Sequence, residues 1–377
     1  MPKFVDLLPI FGVSRPNGSY ALDVTRKRIC HWLGEQLPYQ LHTFSLFPYY
    51  SELLGVWVAS SQLLLVWAVW QRWGWGLSLI GIISLVVIWL EVNGRYTITR
   101  LFCTQGYNII LPFPSATQPR QQAILSAHYD SKTELLDQQN RKIFVAYVPL
   151  GLLIILGLSI YGLCQSAASA PVQTAVLIIA ILHWGMMTGL ALNSLLGRFV
   201  SPSLGAVDNG GSCAVLLHLA QQFPTLQQTN VTIALFVGEE IWLQGSRAFA
   251  ANHTFALPTV VLNLEGMGQN GRYYLTTKIG LPLLQELPTD NTLNARVTAV
   301  AEAVSGQPVE MLAEVMMTDT FPFLKQGIPA TTLGTYDQEL KLSGLHRPTD
   351  NLSRIHESNL TQAVEILQRF LWHYDQE

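Results

Sequence analysis

Five acids and histidines stand where apolar stretches of this sequence stop. His128 and Asp130 follow the run 123–127 in "AILSAHYDSK", Glu239 and Glu240 follow 231–237, and Glu265 follows 260–264. Between them Asp208 sits in the glycine-rich "GAVDNGGS", and His346 comes late, in "GLHRPTDN". Taken singly, each reads as a solvated loop group. Together they read as a ligand set, because neutral imidazole with Asp and Glu oxygen suits zinc in an open catalytic site and needs no cysteine. Seven such groups exceed what one tetrahedral ion takes. A pair of zinc ions about 3.5–4 Å apart, bridged by one carboxylate and one water, would use them all. If the chain is still extended at Glu239–Glu240, successive side chains point to opposite sides, so one can ligate while its neighbour acts as general base. On the same logic His128 and Asp130 share a strand face, and Asp130 can hold the imidazole's tautomer.

Such residues must be carried by a frame. The runs 123–127, 231–237 and 260–264 are short and continuously apolar, as strands of a buried parallel sheet are. In a mostly parallel α/β sheet the carboxyl ends of the strands share one edge, where sites are built. Asp208 lies in a turn that opens an amphipathic helix.

Composition adds a second frame. Of 377 residues only 12% are charged and 49% are hydrophobic, a bias unusual for a soluble protein. Residues 53–71 and 73–90 have Arg72 as the one charge between them, and 143–197 hold no Asp, Glu, Lys or Arg. The first two have the length of a bilayer span, and the third suits two spans broken at "QSAASAP". Buried core helices are usually shorter and keep a polar face. Trp67, Trp70, Trp73, Trp75 and Trp89 gather at the ends of the first two runs, as interfacial aromatics do. The expectation is four transmembrane helices in two hairpins, 52–91 and 143–197.

Four spans put the N-terminal segment and everything after residue 197 on one side, with Lys3, Arg15, Arg26, Lys27, Arg28, Arg95, Arg100, Arg141, Lys142 and Arg198. The hairpin tips offer Arg72 alone, so the positive-inside rule puts the catalytic part on the cytoplasmic face. The opening stretch has too short an apolar run for a cleavable leader, and the spans themselves are expected to target the chain. Cys30, Cys103, Cys164 and Cys213 lack metal-type spacing and suggest no disulfide framework. A net charge of −3 without a basic stripe speaks against a nucleic-acid partner.

The blocks "AHYDS", "GAVDNGGS", "GEEIWLQGS", "LNLEGMG", "TDTFPFLKQGIPA" and "LHRPTDN" resemble, in order and character, the co-catalytic zinc aminopeptidases of clan MH. That family holds bacterial leucyl aminopeptidases, glutamate carboxypeptidase II and glutaminyl cyclases. "NLEGMGQNGR" is most similar to the multi-pass membrane-bound members of vacuolar and endoplasmic-reticulum type. Upstream, "SRPNGSYALDVTRKRICHWLGEQL" resembles the family's first helix, and "GYNIILPFP" the strand before the HYD strand. The resemblance implies a mixed, largely parallel sheet with helices on both faces, and one zinc-peptidase domain over 1–377 whose catalytic segments are 95–142 and 198–377. It implies His128 and Glu265 on one zinc, Glu240 and His346 on the other, Asp208 bridging, Glu239 as base and Asp130 as the orienter of His128. Asp319 matches a family aspartate near the site, and Tyr336 is a candidate oxyanion donor. Three positions depart from the family: Glu265 where Asp is common, Arg347 after the last histidine where Thr is usual, and Thr320 in place of a His.

The leading expectation is a membrane-embedded dizinc aminopeptidase acting on peptides. The alternatives are a single-zinc glutaminyl cyclase and a peptidase-like binding protein. The cyclases carry Trp beside the final histidine, where this chain has Leu345, with Trp242 as the nearby aromatic. Since the second hairpin begins shortly after Asp130, the site is expected close to the bilayer surface.

Overall fold

Apolar runs buried on both faces become the centre of a sheet. A computed structural model describes residues 4–34, 37–281, 285–313, 317–337, 339–340 and 343–377. Lys3 of the charge argument lies outside them. The strands are β1 (Gln40–Leu46), β2 (Thr104–Phe113), β3 (Gln121–His128), β4 (Thr229–Phe236), β5 (Thr259–Glu265), β6 (Gly271–Leu281), β7 (Gln285–Pro288), β8 (Glu310–Ala313) and β9 (Ala330–Asp337). They form one mixed sheet in the order β1-β2-β4-β3-β5-β9-β6-β7, with β8 on β6. The central four, β4, β3, β5 and β9, are mutually parallel, and β2 and β6 join them antiparallel on either side. The three runs foreseen as buried strands are β3, β4 and β5, side by side.

The helices are α1 (Phe4–Leu7), α2 (Tyr20–Leu33), α3 (Tyr50–Trp70), α4 (Gly74–Val92), α5 (Gln138–Cys164), α6 (Ala170–Gly197), α7 (Gly211–Gln221), α8 (Gln244–Asn252), α9 (Asn291–Ser305), α10 (Phe321–Leu324) and α11 (Glu357–Asp375). One face of the sheet is covered by α1, α2, α7, α9 and α11, whose Leu22, Ile29, Leu216, Val297, Leu367 and Phe370 join a core with Leu125 and Ile233. The other face is covered by α8 and α10, through Phe249 and Phe323 against Ile124, Phe236 and Val261. Ends are set locally: Ser19 accepts from Leu22 N and Asp290 from Leu293 N as N-caps, and Gly306 closes α9 in the left-handed region.

The second frame is a bundle of α3–α6. All four are long and apolar enough to cross a membrane, and their apolar windows are only 17–44% buried. Leu63, Leu79, Ile82, Ile83, Leu153, Leu156, Ile160 and Ile178 therefore face outward, a cost that only a lipid surrounding removes. Inside the bundle polar groups pair with one another, as lipid demands: Tyr147 with His183, His183 with Gln62, and Ser78 with the Ser159 carbonyl. The hairpins meet at their tips, where Gln165 donates to Val69 O. The third helix starts at Gln138, earlier than the uncharged run 143–197 suggested, because Asp137 caps it and Arg141 in its first turns is buried against Glu134. The layer also reaches upstream of the first hairpin, since β1 pairs with β2.

Candidate active site

His128, Glu265 and the Glu239–Glu240 pair are delivered by the end of a strand or the turn after it, and Asp208 and His346 by loops. His128 is the last residue of β3 and Glu265 the last of β5, two strands that pair in parallel, so both reach the same edge. At Glu239–Glu240 the extended backbone assumed from sequence is corrected. β4 has ended at Phe236, and a turn closes there with Trp242 N and Leu243 N on Glu239 O and Gln244 N on Gly238 O. The two glutamates diverge because the turn rotates them, not because of a strand's alternation. Asp208 lies between Gly205 and α7, and a Cβ at Gly205 would come within 2.4 Å of Ser131 Cβ at a φ of +62°, so only glycine fits there. His346 takes a left-handed φ of +63°, uncommon for a side chain and held by its loop.

The donors converge. Asp208 stands between the histidines, its Oδ1 3.1 Å from His128 Nε2 and its Oδ2 3.2 Å from His346 Nε2. Glu265 Oε2 is 3.6 Å from His128 Nε2, and Glu240 Oε1 is 3.1 Å from His346 Nε2. Two triads result, His128/Asp208/Glu265 and Asp208/Glu240/His346, each with donor atoms within 4.8 Å of one another. Glu239 stands beside them, 4.0 Å from His128 Nε2, in neither triad. The imidazoles are closed off, whereas Asp208, Glu239 and Glu265 keep 13–15% of their side chains open, which leaves the site an approach from solvent.

The electrostatics ask for a cation. Burial works against charge on both imidazoles, yet Glu265 and Glu239 around His128, and Glu240 and Asp208 around His346, hold each well above the ordinary histidine value. Burial, reinforced by Glu240 and Glu265 against His128, pushes Glu239 well above the usual carboxylate range. Burial also takes Asp319 up to about 7 despite His128 and Ser246, and both of its oxygens are buried. Glu240 Oε1 is likewise buried, facing His346 Nε2. The raised proton affinity of Glu239 and Asp319, beside two imidazoles whose Nε2 atoms face shared carboxylates, fits a divalent cation such as zinc in the type of donor.

Residues 167–371, more than half of the chain, match the model of peptidase family M28. The chain belongs to peptidase family M28. Zinc is typical of that family, and four apolar helices make this chain a membrane protein. It is 39% identical over 79 residues to a vacuolar membrane protease of Verticillium alfalfae, a stretch of 20% of this chain and 8% of that protein. A vacuolar membrane protease of Coprinopsis cinerea is 39% identical over 74 residues, 19% of this chain and 7% of the relative. The matched stretch thus spans less than a tenth of the length of these relatives. Among solved structures, the fold is shared with Porphyromonas gingivalis glutaminyl cyclase (TM-score 0.55, 14% identity, covering 98% of this chain and 96% of that one). It is shared too with a Zn-dependent exopeptidase from Parabacteroides distasonis (TM-score 0.52, 13% identity, 98% and 95%).

Around the two triads lies a supporting layer. Asp130 Oδ1 is 3.5 Å from His128 Nδ1, at the outer limit of a hydrogen bond, while its Oδ2 accepts from Asn17 and from Glu240 N. Asn263 donates to Glu265 Oε1, Asn209 joins Leu264 O to Gly266 N, and Asp350 accepts from Val207 N. These three stand inside the quoted blocks, where an amide or acid beside a ligand was the available signal. Arg15 and Glu134 carried no such signal. Arg15 is fully buried and donates to the carbonyls of Phe11, Val13, Tyr129, Leu204 and Gly205, pinning the His128 and Asp208 loops together. Tyr336 gives its hydroxyl to Glu310, on the edge where Arg272 also reaches Glu310. Trp242 donates to Val92 O and stacks on Tyr50, so its indole serves the bundle. Thr320 joins Thr318 and Thr332 in a buried hydroxyl cluster, and Arg347 holds the carbonyls of Glu134 and Leu135.

Proposed function

We propose that this membrane-embedded M28 peptidase is an aminopeptidase that binds two zinc ions, with His128 and Glu265 on one, Glu240 and His346 on the other, and Asp208 on both. The observation that carries this reading is Asp208, whose two oxygens each face a different imidazole at 3.1 and 3.2 Å. When bound, such a zinc pair supplies Lewis acidity toward the scissile carbonyl and acidifies the attacking water.

The chain's own residues do the rest. Glu239 is free of both triads and beside them, placed to take the water's proton and pass it to the leaving amine. Asp130 orients His128. Asp319 brings a further carboxylate close enough to feel His128 and Glu239, in reach of a substrate's ammonium group. The whole of 1–377 acts as one peptidase domain with two inserted hairpins, its catalytic layer on the cytoplasmic face and its substrates peptides. Support for aminopeptidase over cyclase chemistry comes from Leu345 at the last histidine and from Trp242 being turned into the bundle.

The test is turnover of aminoacyl anilides and short peptides by the detergent-purified chain. Chelation should abolish it and zinc restore it, and Glu239→Gln should lower kcat by roughly 10²–10⁴-fold while zinc content stays at the wild-type level. Cyclisation of glutaminyl peptides without anilide hydrolysis would overturn the reading.

A further inference from the structure

The two halves of the site are held by different parts of the molecule. His128 belongs to the sheet, and its partner Asp130 is tied to Asn17 and to Glu240 N. His346 has another kind of support. Its Nδ1 donates to Glu134 Oε2 at 2.9 Å, which leaves the lone pair of Nε2 directed at Asp208 and Glu240. Glu134 is 1% exposed. It receives Arg141 at 2.7 Å, from the first turns of α5, Ser194 at 3.3 Å, from the last turn of α6, and Lys132 at 3.0 Å.

The backbone repeats the connection. Residues 131–137 form a strap between the His346 loop and the foot of the bundle. On one side Glu134 N donates to His346 O, and Arg347 holds the carbonyls of Glu134 and Leu135. On the other, Leu135 N and Leu136 N are taken by Asn193 O and Oδ1 at 3.0 and 2.6 Å. Asp137 caps α5 and accepts from Gly344 N at 3.1 Å. A Cβ at Gly197, the last residue of α6, would lie 2.2 Å from Thr133 O and 2.8 Å from Glu134 Cα, so the strap lies directly on the helix end. The Glu240 turn is anchored to the other hairpin, through Trp242 on Val92 O and on Tyr50.

We propose that Glu134 is the positioning residue for His346, and that through it the feet of α5 and α6 set the geometry of the Glu240/His346 half of the metal centre. The inserted helices are then part of the site's construction as well as its anchor. The proposal rests on the reading of His346 as a zinc ligand.

The test uses the full chain in detergent and measures zinc affinity by chelator competition, ion by ion, with the thermal midpoint alongside. Glu134→Gln keeps shape and loses charge, and it should weaken one ion about 10–100-fold while leaving the other ion near wild type, although the midpoint falls because Arg141 and Lys132 lose their buried partner. Gly197→Ala, which changes no polar group, should weaken the same ion from the bundle side. Wild-type affinity for both ions in both variants would overturn the proposal, as would equal weakening of both ions, the signature of a merely structural residue. If Glu134→Gln does not fold, Lys132→Met takes its place with the same readout and the same expected direction. A wild type that takes only one ion contradicts the two-ion reading instead. The proposal then stands if His346→Ala and Glu134→Gln both weaken that ion, and fails if only the first does.

Discussion

The candidate site residues stood out in the sequence because a strand end is a place where an apolar run must stop, and His128, Glu265 and the Glu239–Glu240 pair each mark such a stop. What could not be read is which buried charges support them. Arg15 and Glu134 sit in loops without periodicity, and their partners are up to 190 and 213 residues away. Arg15 makes a sharp prediction. Its guanidinium serves five carbonyls, and an ammonium has three protons, so Arg15→Lys leaves at least two of them without a donor. At about 1–3 kcal/mol for each unsatisfied buried group, the substitution should lower the thermal midpoint clearly or prevent folding. A midpoint equal to wild type would show that the clamp is dispensable.

At the level of elements, the central strands were legible because burial on both faces makes them continuously apolar. The edge strands were not: β1 and β8 alternate between exposed and half-buried positions, and their few inward residues do not stand out. The correction at Glu239–Glu240 has the same root, since sequence shows where apolarity ends but not how the backbone turns afterwards. Another feature beyond sequence reading is the close of α11, where Asp375 accepts from Gln227 N, Gln228 N and Thr229 N and ties the last helix to the start of β4. Burial opposes the charge, but these backbone donors outweigh it and hold the carboxyl below its ordinary value. A folded-state pKa below the unfolded one gives stability that is full above the unfolded value of about 4 and is lost as pH falls through the folded value. Asp375→Asn should therefore lower the thermal midpoint at neutral pH, and the difference from wild type should shrink below about pH 4. A difference that grows on acidification would contradict the assignment.

For the molecule as a whole, the bundle was the most legible part, because uncharged runs of span length have few other uses. What the runs did not reveal is how closely they join the chemistry, with both the His346 loop and the Glu240 turn fastened to helix feet. The chain also carries its own probes of sidedness. Cys103 is exposed on the peptidase side, just before β2, and Cys164 is exposed at the tip of the second hairpin. With the catalytic layer on the cytoplasmic face, a membrane-impermeant maleimide added to intact cells should label Cys164 and spare Cys103 until the membrane is opened. Labelling of Cys103 alone would reverse the orientation.

The central claim is that one aspartate joins two zinc ions, and the zinc content per purified chain tests it most directly. Two ions are expected in the wild type, lost together in Asp208→Ala, because both triads share that carboxylate. One ion in the wild type, or an Asp208→Ala chain that still holds two, would contradict the account.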